Sequence, residues 1–264
     1  MTEFPFRGEN PPNPDFLPYG LLVNQTSKLR GTVQYERPAY LQGHRLKDCQ
    51  VGAFAFFNAA GDTSVYRTRL GRYSQIGEGS VIGPPEHPTD WFSSHPYAFT
   101  RPRYMPGIYL LPDFERLAPG ELEDPGFVAT VPNLTVIGHE AYIGAGTFIK
   151  RGVTIGDGAL IGARSVVTRD VPPYAVMVGS PARLLRLRFA EKFVERFLKL
   201  QWWRYDLAPF KQRVDFSKVE ATLDFFEERL ALGELQPLRP DTYQISVGGE
   251  RARIKPLDKP LFFA

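Results

Sequence analysis

Aliphatic residues recur every six positions along the middle of this chain. From Ile137 it reads IGHEAY, IGAGTF, IKRGVT, IGDGAL, IGARSV and VTRDVP, which puts Ile137, Ile143, Ile149, Ile155, Ile161 and Val167 at the heads of successive units. Gly follows the aliphatic in four of the six, and the fifth position stays small: Ala141, Thr147, Val153, Ala159, Ser165 and Val171. Leu70, Ile76 and Ile82 keep the same period earlier, and a fainter run from Val51 slips by a residue before Leu70. A helix does not suit this spacing, because six residues advance about 600° at roughly 100° each and would scatter the aliphatics around it. Each Gly would also cost a helix about 1 kcal/mol. Short parallel strands joined by tight turns do suit it: the β-branched residue points inward, the small one fills the crowded interior, and Gly permits the turn. Three such units close one turn of a triangular prism, and stacked turns bury a continuous aliphatic column. The pattern predicts a mainly β chain with a parallel β-helix over residues 46–183.

The phase breaks between Ile82 and Ile137, which stand 55 residues apart. That stretch carries Pro84, Pro85, Pro88, Pro96, Pro102, Pro106, Pro112, Pro119, Pro125 and Pro132, interleaved with Trp91, Phe92, Tyr97, Phe99, Tyr104 and Tyr109. Proline at this density excludes regular helix and central strand. Residues 84–134 are therefore expected to leave the prism as a long loop, a segment that often carries binding groups on a rigid scaffold. Residues 1–45 read as an irregular arm. After the coil, Ser180 and Pro181 suit an N-cap and a first helical residue, and Phe189, Phe193, Phe197 and Leu200 share one helical face. A second helix is expected to open at Ser217-Lys-Val-Glu220, a capping-box pattern, and to stop near Gly233, so that helices fill residues 184–233. Alternation around Gly248-Gly249 predicts a hairpin within the tail, residues 234–264.

Composition narrows the function classes. With 43% hydrophobic and 23% charged residues in 264, the chain has enough apolar mass for a real core. A formal net charge of +3 is too mild to argue for nucleic acid, although it suits a small anionic ligand. The single cysteine, Cys49, excludes an internal disulfide framework and a multi-cysteine metal site. No apolar stretch reaches the length of a membrane span and the N-terminus lacks a signal-peptide pattern, so a cytoplasmic protein is expected. Among His44, His87, His95 and His139, the second stands out. His87 sits where the chain leaves the last in-phase unit, and Pro88 after it restricts its backbone. His95 reads as a substrate contact or a loop hydrogen-bonder, and His139 as structural or superficial.

Three segments beyond the repeat carry a resemblance: HPTDW at His87–Trp91, VTRDVPPYAVMVGSPAR at Val167–Arg183, and the Trp202-Trp203 pair. With the repeats, they make residues 50–206 resemble the hexapeptide-repeat acyltransferases, in their xenobiotic and polysaccharide O- or N-acetyltransferase branch. The resemblance implies a left-handed β-helix, acetyl-CoA as acyl donor, no metal, and a homotrimer with each site between two subunits. It places His87 in the catalytic position of a motif usually read Asn-His-Pro, where this chain has Glu86. The imidazole would act as general base, worth typically about 10²–10⁴-fold, and its second nitrogen would need a carbonyl or carboxylate, for which Glu86 and Asp90 are near in sequence. Trp91 and His95, with Glu86 and Asp90, are the implied acceptor contacts. Ala145, Ala163, Thr168, Arg169 and Arg183 fall on the family's cofactor positions, small where the thin pantetheine arm lies on backbone and cationic where phosphates sit. The implied acceptor is a sugar, nucleotide sugar or surface-polysaccharide precursor, with an antibiotic of the chloramphenicol or streptogramin type as the alternative. Two other classes share the fold: a zinc lyase, for which His87, His95 and His139 lack the close pair of ligands, and a non-catalytic assembly module.

Overall fold

In the computed structural model, which describes residues 14–24, 28–58, 62–100, 107–117, 134–248 and 251–263, the repeated aliphatics stack one turn upon the next. Leu70 pairs with Ile137 and Ile137 with Ile155; Ile76 pairs with Ile143 and Ile143 with Ile161; Ile82 pairs with Ile149 and Ile149 with Val167, all in parallel strands of two or three residues. These side chains are at most 1% exposed. Burying one of them is worth about 1.5–3 kcal/mol relative to leaving it in water. The result is a parallel β-solenoid with three faces. On the first face Leu21–Val23, Ala39–Gln42, Phe56–Phe57, Gln75–Ile76, Tyr142–Ile143, Leu160–Ile161 and Ala175–Gly179 follow one another.

The solenoid starts earlier than residue 46. Leu21–Val23, Leu29–Glu36 and Ala39–Gln42 are strands within the region expected to be an irregular arm, and Leu29–Glu36 pairs in parallel with Arg45–Val51. Leu29–Glu36, with eight residues, is longer than a unit, and its buried Leu29 and Val33 stand four apart. The Pro-rich residues of 1–13, Pro102, Tyr104, Pro106, Pro119, Pro125, Pro132 and Gly249 lie outside the described residues.

Gly in the second position of a unit serves close approach, not turn conformation. A Cβ on Gly144 would lie 2.5 Å from the backbone nitrogen of Ala163 on the next turn. The left-handed backbone comes two residues later, at Gly146, and at the same place in other units it is tolerated by Glu140 and Arg164.

The chain divides into two units, residues 84–133 and the remainder. Ile137 stacks on Leu70 although 67 residues separate them, where 18 separate Ile137 from Ile155, so the solenoid keeps its register across the inserted segment. Within the inserted unit, a helix at Pro112–Leu117 and 3-10 turns at Pro96–Ala98 and Ile108–Leu110 replace the helix-free loop that proline density predicts. Pro96 and Pro112 stand at the first position of their elements, where the missing N–H has no intrahelical partner to lose.

Past the coil, the predicted cap at Ser180 is also corrected. Ala182–Leu187 is a strand paired antiparallel with Ala175–Gly179, which covers what would be an open sheet edge. The helix begins at Glu191 and ends at Leu200, with Phe189 ahead of it but ring-to-ring with Phe197 at 5.2 Å. The second helix, Val219–Ala231, stops at Gly233 as expected, but Ser217 gives its hydroxyl to Asp215 (2.7 Å) instead of forming a capping box. The two helices share a cluster of Leu200, Phe210, Leu223, Phe226 and Leu235. The tail forms a hairpin of Thr242–Gly248 and Arg251–Leu257, whose first strand adds antiparallel to Leu29–Glu36.

An ion pair that no sequence pattern announced ties these segments together. Arg72, 1% exposed, donates through Nε (2.6 Å) and a second nitrogen (2.9 Å) to Glu36, and further to the carbonyls of Trp203 and Leu238 at 3.3 Å each. Among the described residues no helix is long and apolar enough to cross a membrane.

Candidate active site

The inserted unit follows Gly83, which has a positive φ of 60°. His87 follows on the exposed side, with Pro88 buried beneath it. The imidazole Nδ1 lies 2.8 Å from the carbonyl oxygen of Ser94. A carbonyl only accepts, so Nδ1 carries the proton, and Nε2 is left with a free lone pair. The ring edge packs on Phe99, which is 6% exposed, at 5.0 Å and 72°. The group fixing the tautomer is thus a backbone carbonyl seven residues on, and not Glu86 or Asp90. Nothing in the sequence marks it, because a carbonyl is present at every residue.

His95 has the opposite arrangement. Its Nδ1 accepts from the backbone N–H of Tyr97 (3.3 Å), capping the turn Pro96–Ala98, and the ring stacks on Phe114 and lies tilted against Tyr97. It thus hydrogen-bonds within its own loop. Glu86 is half-buried, Asp90 is exposed, Trp91 is 37% exposed and Phe92 fully so.

In the solenoid, the family-implied cofactor residues fall on two corners. Gly77 faces Ala145 and Gly144 faces Ala163, so the two alanines rise in one column after the strands of the first face. Gly162 lies under Val178, which pairs with Arg183, so the exposed Arg183 stands near the top of that column. Thr168 and Arg169 are exposed on a different corner, after Val166–Val167. The alanine column offers backbone without bulk, and both arginines are exposed, Arg183 with one guanidinium nitrogen donating to the Ala182 carbonyl (3.0 Å).

His139 belongs to the packing. Its Nδ1 accepts from the Arg72 N–H (2.9 Å), and its ring stacks on the buried Trp203 at 5.4 Å and 5°. Burial, with Arg72 and Arg69 adding to it, pulls its pKa down to about 3. Cys49 is buried, and burial pushes its thiol up to about 12, so it is no nucleophile at neutral pH. Among the described residues no three His, Cys, Asp or Glu side chains gather to hold a metal ion.

A sequence profile for the bacterial transferase hexapeptide, six repeats, matches residues 134–169. A chloramphenicol acetyltransferase of Agrobacterium fabrum (strain C58) is 34% identical over 62% of this chain and 69% of its own length. Another, from Klebsiella aerogenes, is 31% identical over 65% and 73%. A crystal structure of PerB from Caulobacter crescentus in complex with CoA and GDP-perosamine shares 19% identity and a TM-score of 0.39, covering 62% of this chain and 57% of that one.

Proposed function

Since this chain belongs to the hexapeptide-repeat acetyltransferases, we propose that it moves an acetyl group from acetyl-CoA to a hydroxyl or amine of a small acceptor, with His87 as general base. One observation supports the role of His87: an exposed imidazole whose Nδ1 proton is held by the Ser94 carbonyl, which leaves the lone pair on Nε2. His87 Nε2 takes the proton of the acceptor as its oxygen or nitrogen attacks the thioester carbonyl carbon. It returns that proton to sulfur as the C–S bond breaks, so the products are the acetylated acceptor and free CoA thiol. Backbone N–H groups at a turn would stabilise the tetrahedral oxyanion. The exposed Arg183 and Arg169 would meet the phosphates of acetyl-CoA, with Ala145, Ala163 and Thr168 along its thin arm.

Ala145, Ala163 and Arg183 occupy one corner of the solenoid, and Thr168 and Arg169 another. A single donor molecule in contact with both sets is most simply held between two copies of the chain, and a homotrimer supplies such a groove at each of its three junctions. A cytoplasmic location belongs to the same proposal, since CoA thioesters are cytoplasmic donors.

The acceptor is proposed to be a carbohydrate hydroxyl or amine, because the exposed rings of Trp91 and Phe92 offer an apolar face on which a sugar ring can lie. Glu86 and Asp90 add hydrogen-bond acceptors beside them, and His95 could donate from Nε2. A second acceptor class, the hydroxyl of a chloramphenicol-type antibiotic, is favoured by relatives of that name, whose similarity covers 62% and 65% of the chain. CoA thiol release from acetyl-CoA, measured over a panel of nucleotide sugars, free glycosides and chloramphenicol, separates the two. Sugar-dependent release supports the first, release with chloramphenicol alone replaces it by the second, and no release with any acceptor contradicts both.

A further inference from the structure

A single hydrogen bond to the Ser94 carbonyl fixes one atom of the His87 ring and leaves the ring free to tilt and twist about it. Such motion redirects the Nε2 lone pair, and a misplacement of about 1 Å at a reacting group can cost about 10²-fold in rate. The ring has a second contact. Phe99 meets it edge-to-face, with 5.0 Å between centroids and 72° between planes. Phe99 is in turn fixed by its neighbours. It closes the turn Pro96–Ala98, where its N–H donates to the Pro96 carbonyl (3.1 Å) and that of Thr100 to the same oxygen (2.8 Å). Ahead of that turn, the Ser93 hydroxyl oxygen accepts from the His95 N–H (3.1 Å). Behind it, the Tyr109 hydroxyl donates to the Thr100 carbonyl (3.2 Å), a buried bond within the inserted unit. Phe99, Thr100 and Tyr109 are 6%, 5% and 8% exposed, in a unit where His87, Trp91 and Phe92 face solvent.

We infer that Phe99 and Tyr109 are positioning residues for acetyl transfer: the Phe99 ring sets the plane of the His87 imidazole, and the Tyr109 hydroxyl, through the Thr100 carbonyl, sets Phe99. The inference rests on His87 being the general base. Neither residue supplies the reacting proton, since Phe99 is apolar and the Tyr109 hydroxyl is committed to a backbone oxygen. Both act by keeping Nδ1 on the Ser94 carbonyl, and so by keeping the lone pair on Nε2. Packing alone would make a different demand. A residue that only fills the inserted unit changes its stability, whereas one that holds the ring changes which ring nitrogen carries the proton.

The test reads the ring first and the reaction second. Nitrogen NMR of the full chain carrying isotope-labelled histidine, at about pH 9 and so well above the ordinary histidine range, reports which ring nitrogen is protonated. His87→Ala identifies the signals. The unaltered chain should show the Nδ1–H form, Phe99→Leu a mixture with the Nε2–H form, and Tyr109→Phe a smaller change in the same direction. Thiol release from acetyl-CoA, over the panel of nucleotide sugars, free glycosides and chloramphenicol, follows. For Phe99→Leu kcat should fall at least about tenfold, and for Tyr109→Phe about threefold, with KM for acetyl-CoA within about twofold of the unaltered chain. An Nδ1–H form that persists in folded Phe99→Leu overturns the inference, as does an unchanged kcat where the tautomer has shifted. Tyr109→Phe, which loses one oxygen atom, takes the place of Phe99→Leu in both comparisons should the latter fail to fold by circular dichroism. Tyr109→Phe indistinguishable from the unaltered chain removes the part assigned to Tyr109. Absence of thiol release with every acceptor defeats the general-base reading instead, and the tautomer still decides whether these two residues hold the ring.

Discussion

His87 and His95 lie in one loop and hold opposite tautomers, because one faces a carbonyl oxygen and the other an N–H. Only the first leaves Nε2 free to take a proton. His139, the third histidine of interest, is a packing residue whose protonation is opposed by burial and by two arginines. Its folded pKa of about 3 lies below the ordinary 6.5, so the unfolded chain binds the proton first as pH falls. The native state therefore has its full stability from this group above pH 6.5 and loses it progressively toward pH 3. His139→Gln keeps an acceptor for the Arg72 N–H and removes the titration. Thermal melts between pH 7 and pH 4 should show a shallower fall in Tm for the variant than for the unaltered chain. Parallel curves would assign the acid sensitivity to other groups.

At the scale of elements, six-residue spacing made the central strands legible from Ile137 to Val167, because each aliphatic answers to a counterpart one turn away. The chain start was not legible for the same reason, since strands such as Leu29–Glu36 are longer than a unit. Ala182–Leu187 was read as helix because Ser-Pro imitates a helix start, while what decides its conformation is an unpaired sheet edge two residues before it. No motif marks the Glu36–Arg72 pair, which shows only in three dimensions. The recurring second-position glycines answer a demand for space and not for turn conformation. Gly144 matters for the space above it, so even Ala should disturb the stack. Gly144→Ala is expected to lower stability by about 1–3 kcal/mol in urea unfolding, the range for overpacking. An unchanged midpoint would show that the turns slide apart freely.

For the whole molecule, the distribution of cofactor candidates over two corners of the solenoid bears on assembly. The coil candidates are legible by motif, whereas nothing in the sequence marks the Ser94 carbonyl that holds His87 Nδ1. A trimer is expected in solution, so sedimentation equilibrium should return three times the chain mass of 29.8 kDa. A single-chain mass at micromolar concentration would remove the shared groove.

Acetyl transfer by His87→Ala tests the central claim most directly. Loss of the imidazole should lower kcat at least about a hundredfold, with the melting temperature and the affinity for CoA close to those of the unaltered chain. Turnover equal to the unaltered enzyme would contradict the assignment, because no proton acceptor would then be needed at His87.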